Sequence, residues 1–445
     1  MASTQLLRTQ ETPTSTNKYT WSAWIKRGTI TNGQVLVYNY LDSNNRGYVM
    51  LEGADKLFFY DKYGGSEQTN VYSTRVFRDT FGWYHIHIKA DSTQASESDR
   101  FQVHINGVLE TLSGSGSGTI ISQNDTLGFA GASGCLVALG SNADSVANCF
   151  EGIMTHVYYV DGLALPYTDF GSIDTTTGEW KINTSPTISD YGNSGYLMLK
   201  DDNSVNDDSG KGNNFAVTGT LTKTEDCPDN VFATINPLYK HSATYANGNL
   251  KSTNASNKFG GVASIGVSAG KYYAEFKYGS ASNQNGAVGI YGNPLNGSYD
   301  NQGVGKDGNS YSYRSDDGNK VIANTASAYG NTFASGNIIS IALDLDNNKL
   351  YFAKDGVWQN SGVPTSGSTG TGAIDISLTP PEGCWFIAAN CNSASDTAIW
   401  EHNYGNGYFG TTAISSEGTN ASGLGKFEFD VPTGYTALCT KGLNE

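Results

Sequence analysis

The stretch IISIALDLDNNKLYFAKDGVWQ, residues 338–359, decides the fold class of this chain. Every second residue from Ile339 to Leu345 is apolar, and the residues between them are small or polar, which is the period of a half-buried strand. Asn347-Asn348 follows, and asparagine tolerates the positive φ of a two-residue hairpin turn. We therefore predict a β-hairpin with its apolar residues on one face, Leu345 opposite Leu350 and Leu343 opposite Phe352.

Two other interpretations of this stretch fail. A helix requires apolar residues three and four positions apart, whereas these are two apart. A calcium-binding loop is suggested by the oxygen-bearing side chains of Asp344, Asp346, Asn348 and Asp355. However, Lys349 stands where such a loop requires glycine. The hairpin remains the prediction.

The composition of the whole chain favours an all-β protein and argues against several function classes. The 445 residues include 54 glycines and 12% aromatic residues but only 16% charged ones, which is typical of strands separated by tight turns. A net charge of −15 without clustered Lys or Arg argues against a nucleic-acid partner. No apolar run reaches the roughly 18 residues of a membrane span. The N-terminus lacks the apolar core of a signal peptide, so we expect a soluble protein made in the cytoplasm, without membrane insertion.

Strand and turn signals indicate two domains of the same kind. The length allows two domains that each bury a full core. A strand followed by Asn-Gly or Asp-Gly and an apolar residue occurs at 101–108, 156–163 and 350–357. The unequal intervals argue against a short-period repeat. We predict two tandem antiparallel β-sandwiches of the concanavalin A-like, jelly-roll type, spanning 1–225 and 226–445.

Short motifs of the N-terminal half occur in a characteristic order. They are WSAWIKR at 21–27, FRDT at 77–80 leading to WYH at 83–85, VHINGV at 103–108, FEG at 150–152 and VDGLAL at 160–165. In this order they resemble a laminin-G-like domain with a concanavalin-type sandwich, in the form carried by tailed-phage structural proteins. The segment DDSGKGNNF at 207–215 resembles a turn found near the start of such domains. Its late position implies a permuted strand order that closes against the N-terminal strand.

The C-terminal half resembles a SPRY domain. The motifs NGNL at 247–250 and GKYYAEF at 270–276 match its opening strands, and residues 338–359 match its most recognisable hairpin. WEHNYG at 400–405 resembles its closing strand, with Tyr404 replacing the usual Phe. The join at 222–237 and the tail at 432–439 resemble phage proteins with this same two-domain order.

A search for chemistry yields no catalytic residues, metal site or cofactor. Glu428 and Asp430 are the nearest match to the alternating carboxylates of glucanases, but a third acid is missing. His85, His87 and His104 could approach one another across a hairpin, yet no fourth metal ligand is identifiable. We therefore expect no enzyme activity and interpret these histidines as packing residues.

Tyrosines beside turn signals are the remaining candidates for a binding site. Tyrosine in loops offers a large contact area at low entropic cost and stacks on sugars or peptides. The alternative is that these rings plug the ends of the sandwich or pack against another subunit. The candidate ligand-binding residues are Tyr291, Tyr299, Tyr311, Tyr313, Asp316 and Asp317.

The resemblance to phage proteins implies a function that composition alone does not indicate. It implies a non-enzymatic component of a tailed-phage virion, a fibre, appendage or decoration protein that presents carbohydrate- or protein-binding loops for host recognition. The implied partners are other virion proteins, a host-surface glycan or protein, and further copies of the chain in a homo-oligomer. The alternatives are a purely architectural virion protein that binds other subunits, and a glycan depolymerase.

Overall fold

The computed structural model describes residues 4–31, 33–114, 119–200, 204–239, 243–255, 259–280, 285–293, 303–393 and 396–444. Contacts between residues divide the chain into two compact units, Met1–Lys223 and Thr224–Glu445. Both are built from antiparallel sheets, which confirms the predicted all-β class of two β-sandwiches following each other along the chain. No helix in the described ranges is long and apolar enough to cross a membrane.

The N-terminal unit consists of two facing sheets and a small hairpin. Its described strands are β1 (Gln5–Thr9), β2 (Lys18–Arg27), β3 (Gln34–Asp42), β4 (Asn45–Glu52), β5 (Lys56–Tyr63), β6 (Ser66–Ser73), β7 (Tyr84–Asp91), β8 (Phe101–Ile105), β9 (Val108–Leu109), β10 (Leu112–Gly114), β11 (Leu136–Leu139), β12 (Gly152–Asp161), β13 (Gly171–Ile173), β14 (Trp180–Ile182), β15 (Tyr196–Met198) and β16 (Ala216–Thr218). A short helix α1 (Glu97–Arg100) and a 3-10 turn (Tyr167–Asp169) complete the unit. The larger sheet has the order β10-β6-β5-β4-β3-β11-β1-β16 and the smaller one β15-β12-β2-β7-β8-β9, with β13 and β14 forming the hairpin.

The core of this unit lies between the two sheets and follows the period of the strands. In β2 the alternating residues Tyr19, Trp21, Ala23 and Ile25 all belong to the core, as the sequence pattern predicts. The larger sheet contributes its own alternate residues, among them Leu57 and Phe59. Each strand of the larger sheet therefore leaves a second set of side chains for its outer face.

The end of the N-terminal unit closes against its beginning. β16, just after the DDSGKGNNF turn, pairs antiparallel with β1, so that Leu6 lies opposite Val217. The Arg8 guanidinium secures the turn by donating to the Asn213 side chain and to the Ser194 carbonyl. This closure confirms the prediction drawn from the late position of the turn.

The C-terminal unit repeats the two-sheet architecture. Its described strands are β17 (Ala243–Ala246), β18 (Lys251–Ala255), β19 (Phe259–Val267), β20 (Lys271–Ser280), β21 (Gly286–Tyr291), β22 (Ser310–Arg314), β23 (Asn319–Ile322), β24 (Thr325–Ala328), β25 (Ile338–Asp344), β26 (Lys349–Lys354), β27 (Val357–Trp358), β28 (Ile374–Asp375), β29 (Trp385–Cys391), β30 (Thr397–Asn403), β31 (Tyr408–Phe409), β32 (Thr412–Ala413) and β33 (Thr436–Ala437). Three 3-10 turns lie at Gln359–Ser361, Pro364–Thr369 and Gly442–Asn444. One sheet follows the path β17-β18-β30-β20-β25-β26-β27, with β28 on β26 and β33 on β20, and the other has the order β19-β29-β21-β22-β23-β24.

The hairpin at 338–359 forms as β25 and β26, but its register differs from the prediction. Leu343 lies opposite Leu350 and Ile341 opposite Phe352, so the loop contains four residues instead of two. The Asp344 carboxylate accepts hydrogen bonds from the backbone and side chain of Asn347, which stabilises the longer turn. Because the shift is even, the apolar residues keep the predicted face.

The second face of this hairpin is also buried, in contrast to the half-buried strand that the sequence pattern predicts. Tyr351 and Ala342 pack there with Phe427, Val431 and Tyr435 of the C-terminal tail. The tail therefore acts as an additional layer over the sheet that contains β25 and β26. The expectation of one-sided burial was wrong because this layer comes from a distant part of the sequence.

Candidate binding surface

The tyrosines selected from the sequence do not form a surface. Tyr311 and Tyr313 lie on β22 with 0% exposure and point into the core. The Tyr311 hydroxyl accepts hydrogen bonds from the backbone N–H groups of Ser377 and Leu378, both at 2.8 Å. Tyr291 has 0% exposure as well and packs in a smaller buried cluster. The predicted contact surface is wrong for these three residues, because strand alternation turns Tyr311 and Tyr313 inward and Val304 and Tyr239 pack against Tyr291.

The other selected residues do not restore that site. Tyr299 lies outside the described residues. Asp316 and Asp317 are exposed, and both form ion pairs with the Arg314 side chain of the same turn. Both carboxylates are therefore engaged within the turn itself and are not assigned to a binding site. Exposed ion pairs of this kind contribute little to stability.

The three histidines weighed as metal ligands, His85, His87 and His104, are packing residues in the structure. The His85 ring lies between Trp24 and Trp180, and Trp180 Nε1 donates to His85 Nδ1 at 3.0 Å. Burial lowers the pKa of His85 to about 3, so the ring is neutral. Its neighbours His87 and His104 are covered by Phe170 and Tyr167. Among the described residues, no three His, Cys, Asp or Glu side chains are placed to hold a metal ion together.

A different set of aromatic rings does reach a surface. Strands β3–β6 of the larger N-terminal sheet carry them at alternate positions, out of phase with the core residues of the same strands. We name this set the aromatic face; it comprises Tyr38, Tyr40, Tyr48, Phe58, Tyr60 and Tyr72.

Strand register arranges the aromatic face in rows that cross the strands. Tyr38 lies opposite Tyr48, and Tyr48 opposite Tyr60, which gives one row over β3, β4 and β5. Their ring centres are 5.0 Å apart at both steps. A second row pairs Phe58 with Tyr72, whose rings are stacked at 4.5 Å. Directly opposed residues in a sheet have this separation, so the rows follow from the register alone.

The aromatic face lies on the outer side of the sheet, opposite the core. Its apolar cluster consists of strand residues of that sheet, with Ala143 the one loop residue among those described. Tyr40, Tyr48 and Tyr72 are half-buried, whereas Tyr38, Phe58 and Tyr60 are 6–8% exposed because neighbouring rings cover them. Burial raises the pKa of Tyr48, so its hydroxyl stays protonated near neutral pH. The described residues thus present an apolar, neutral platform with hydroxyl groups.

Polar groups flank one end of the first row. The Arg46 guanidinium lies over the Tyr60 ring, 5.6 Å from its centre. The Tyr60 hydroxyl donates to Glu67 at 3.2 Å, and the Asn70 side chain donates to the same carboxylate at 3.0 Å. Arg46 Nε and Asn70 Oδ1 are buried atoms without a hydrogen-bond partner. One donor and one acceptor are therefore unsatisfied beside the Tyr60 ring.

Comparison with protein families shows which domains carry these features. Residues 2–154 match the family described as the concanavalin A-like lectin/glucanases superfamily, in its laminin-G form, and residues 271–379 match the SPRY domain. The chain joins a laminin-G-like domain to a SPRY domain. Both assignments confirm the family resemblances drawn from the motifs. The aromatic face belongs to the laminin-G-like domain.

Solved structures with similar folds cover parts of the chain. The SPRY domain of human HERC1 is 18% identical, covering 38% of this chain and 96% of that one, with a TM-score of 0.30. Another human SPRY domain is 16% identical over 36% of this chain and 94% of that one, with a TM-score of 0.26. The native heptameric SAP-like pentraxin of Limulus polyphemus is 14% identical over 44% and 87%, with a TM-score of 0.30. No curated protein matches the chain.

The aromatic face of the laminin-G-like domain is absent from the candidates named from the sequence, although a signal for it exists. Those candidates are tyrosines beside turns, whereas these rings lie within regular strands. In β3 and β5 both alternating sets of residues are apolar or aromatic, as in KLFFY at 56–60. Two such sets place apolar or aromatic side chains on both faces of the sheet, and the second set is the sequence signal for the aromatic face.

Proposed function

We propose that this protein is a non-catalytic component of a tailed-phage virion that attaches to the host surface through the aromatic face of its laminin-G-like domain. The observation that carries the proposal is the cluster of six aromatic rings on the outer side of one sheet, in which Tyr40, Tyr48 and Tyr72 are partly exposed. Contiguous apolar surface of this kind marks a site of interaction in proteins that are otherwise polar outside.

The chemistry of the aromatic face favours a carbohydrate ligand. Aromatic rings stack on the apolar faces of sugar rings, and their hydroxyl groups supply hydrogen bonds at the edges. The Tyr48 and Tyr72 rings are half-buried, so part of each remains open to a ligand. Rings held side by side in a sheet lose little conformational entropy when a ligand stacks on them.

The virion context rests on the sequence resemblance. The order of a laminin-G-like domain, a joining run and a SPRY domain resembles phage proteins with this two-domain order. As a virion component the protein would assemble with other virion proteins and with further copies of itself. Host recognition then requires a surface on the protein that meets the cell, and the aromatic face supplies it.

Binding of the full chain to bacterial cells tests the proposal. Fluorescently labelled protein is incubated with a panel of bacterial strains, and bound protein is measured by flow cytometry. We expect binding to selected strains, reduced at least tenfold by Tyr48→Ala and Tyr72→Ala. The matched control is Tyr63→Ala, because Tyr63 is 40% exposed on β5 but lies outside the aromatic cluster. Equal binding by all variants would refute the role of the aromatic face.

Two further measurements separate the alternatives. An architectural virion protein would show no cell binding, while antibody labelling of intact particles would detect it on the virion. A glycan depolymerase would release reducing ends from host polysaccharide, and the proposal requires that none are released. Absence of the protein from purified particles would refute the virion assignment.

A further inference from the structure

The segment of residues 163–182, which we name the strap, lies against the outer face of the smaller N-terminal sheet without joining it. It contains the 3-10 turn Tyr167–Asp169 and the hairpin of β13 and β14. In the described part of the chain these two strands pair with each other and with no strand of the larger sheets. The strap can therefore separate from the sheet without breaking a ladder of backbone hydrogen bonds.

Three aromatic rings of the strap each cover one histidine of the sheet. The ring centres are 4.1 to 5.8 Å apart in the pairs Tyr167–His104, Phe170–His87 and Trp180–His85. His85 and His87 have 0% exposure and His104 has 8%. The histidines are thus enclosed between the sheet and the strap.

The three histidines form a row along the outer face of the sheet. His87 lies opposite His104 on the paired strands β7 and β8. The ring centres are 5.8 Å apart between His87 and His104, and 6.4 Å apart between His85 and His87. Neutral imidazoles pack at these distances, whereas buried positive charges so close together repel one another. Protonation of the row therefore destabilises the closed strap.

The hydrogen bond between Trp180 and His85 couples protonation directly to the strap. The Trp180 indole has a donor and no acceptor, so the His85 Nδ1 atom that it contacts at 3.0 Å must be unprotonated. The other ring nitrogen, Nε2, lies 2.8 Å from Ser22 Oγ. Protonation at Nδ1 would place two donors against each other, and it therefore removes a hydrogen bond that attaches β14 to the sheet.

The titratable and charged side chains on the elements around the row are Lys26 on β2, Lys89 on β7, Glu110 after β9, His156 and Tyr158 on β12, and Tyr167, Asp169, Glu179 and Lys181 on the strap. Two of the carboxylates already have cationic partners, since Glu110 pairs with Arg75 at 3.3 Å and Glu179 with Lys181 at 3.2 Å. Burial raises the pKa of Asp169, so protonation of Asp169 favours the closed strap and opposes the effect of the histidines.

Burial lowers the pKa of all three histidines, to about 3 for His85 and well below 6.5 for His87. An exposed imidazole has a pKa near 6.5, so the sheet binds protons more tightly once the strap has left. The contribution of the neutral row to closure is therefore present above pH 6.5 and is lost as the pH falls below that value. Each histidine that becomes protonated on release shifts the equilibrium by up to about tenfold per pH unit, and three by up to about a thousandfold.

We propose that the strap is an acid-sensitive lid: protonation of His85, His87 and His104 releases residues 163–182 from the smaller sheet while both sheets stay folded. Release uncovers the outer face of that sheet, including Trp24, whose ring centre lies 4.9 Å from that of His85. The lid covers the smaller sheet, whereas the aromatic face belongs to the larger one, so this device is independent of the proposed attachment to the host.

Hydrogen exchange of the full chain between about pH 7.5 and pH 4.5 tests the lid. The exchange rate of each peptide is divided by the intrinsic rate at the same pH, which gives a protection factor. An isolated two-stranded hairpin is marginally stable in water, so the amides of the strap exchange once it is released. Below about pH 6.5 we expect protection of residues 163–182 to fall more than tenfold per pH unit, before that of β7 and β8 falls.

Variants separate titration from packing. His85→Gln, His87→Gln and His104→Gln should each make the fall less steep by up to about tenfold per pH unit, because glutamine does not titrate. Trp180→Phe removes the hydrogen bond to His85 but keeps a ring, and it should lower protection of the strap by a similar factor at every pH. His402→Gln should leave the fall unchanged, because His402 belongs to the C-terminal unit.

Three outcomes would overturn the lid. Loss of protection in the strap and in β7 and β8 at the same pH would mean that acid unfolds the whole unit. Protection of the strap that does not change with pH would mean that the strap is a fixed part of the fold. A fall that is equally steep in all three histidine variants would assign the release to other groups. If a histidine variant does not fold, the steepness in the unchanged protein still decides, because a fall of tenfold or less per pH unit excludes a row that acts together.

Discussion

The Glu275 carboxylate on β20 accepts a hydrogen bond from the backbone N–H of Phe429, 2.9 Å away, although the two residues are 154 positions apart. The same carboxylate accepts from the N–H of Glu428 at 2.8 Å and from the Tyr273 hydroxyl at 3.0 Å. Glu275 is completely buried. One side chain thus attaches the C-terminal tail to the sheet of the SPRY-containing unit.

Replacing Glu275 tests this attachment. Glu275→Leu leaves two backbone N–H groups without an acceptor, each at a cost of about 1–3 kcal/mol. We expect residues 414–431 to lose protection from hydrogen exchange before the sheet itself does. Lys354→Ala on β26 of the same sheet is the control, because its ammonium group donates to the Thr332 carbonyl and forms no hydrogen bond or ion pair with the tail among the described residues. Unchanged exchange of the tail in Glu275→Leu would contradict the role of this residue.

The ionisation of Glu275 predicts a dependence of stability on pH. Burial raises its pKa to about 7, above the value of 4.5 for an exposed glutamate. Because the folded-state pKa is the higher one, the folded state binds the proton more tightly. The contribution of this group to stability is therefore present below pH 4.5 and is lost as pH rises to 7, on the order of 3 kcal/mol in total.

Glu275→Gln measures this effect, since the amide does not titrate. The free energy of unfolding of the C-terminal unit, wild type minus variant, should fall between pH 4 and pH 8. Hydrogen exchange resolved by peptide gives this value for the unit separately. A difference that stays constant over this range would mean that Glu275 has an ordinary pKa.

His85 predicts the opposite dependence for the N-terminal unit. Its pKa is lowered to about 3 from 6.5 by burial, so the unfolded chain binds the proton first as pH falls. Stability contributed by the neutral ring is present above pH 6.5 and decreases by about 1.4 kcal/mol per pH unit below it. His85→Gln should flatten this decrease for peptides of residues 163–182, which include Trp180.

His402→Gln is the matched variant for that experiment. Burial lowers the pKa of His402 to about 3 as well, but His402 belongs to the C-terminal unit. His402→Gln should therefore flatten the acid-induced loss of stability in the C-terminal unit and leave residues 163–182 unaffected. If both variants changed both units equally, the two histidines would not act through their local environments.

Two adjacent residues of the hairpin should both be intolerant of substitution. Leu343→Asp places a charge in the core and should lower the free energy of unfolding by about 3–5 kcal/mol. Asp344→Leu should also destabilise, by about 1–3 kcal/mol, because Asp344 is fully buried, pairs with Lys271 at 3.1 Å and accepts from Asn347. Thermal melts measure both, with Thr325→Asp on the exposed strand β24 as the control for an added charge. A tolerated Asp344→Leu would indicate that the second face of the hairpin is open.

The strands of this protein could be predicted because they depend on local pattern. The alternation in 18–27 predicts a strand with Tyr19 and Trp21 inside, and the structure has both. The observed hairpin register differs by two residues from the one that the sequence predicts. A turn of two residues and a turn of four residues fit the same sequence, and the Asp344–Asn347 hydrogen bonds decide between them.

The candidate site could not be predicted because position in the sequence does not determine exposure. Tyr311 and Tyr313 lie near turn residues, yet the register of β22 directs both rings into the core. Tyr38, Tyr48 and Tyr60 come from three separate strands. Their alignment exists only after β3, β4 and β5 have paired.

The sequence by itself determined the all-β class, the two domain families and the inward set of residues in strands such as β2. These properties follow from the two-residue period of a strand and from motifs that each occupy a short segment. Only the tertiary structure decided which sheets are also covered on the face that points away from the core. The C-terminal tail buries the outer face of β25 and β26, whereas the outer face of β3–β6 leaves Tyr40, Tyr48 and Tyr72 partly exposed. In both cases the strands carry apolar or aromatic residues in both alternating sets. Whether the outer face is covered depends on segments that are distant in sequence and become adjacent only after folding.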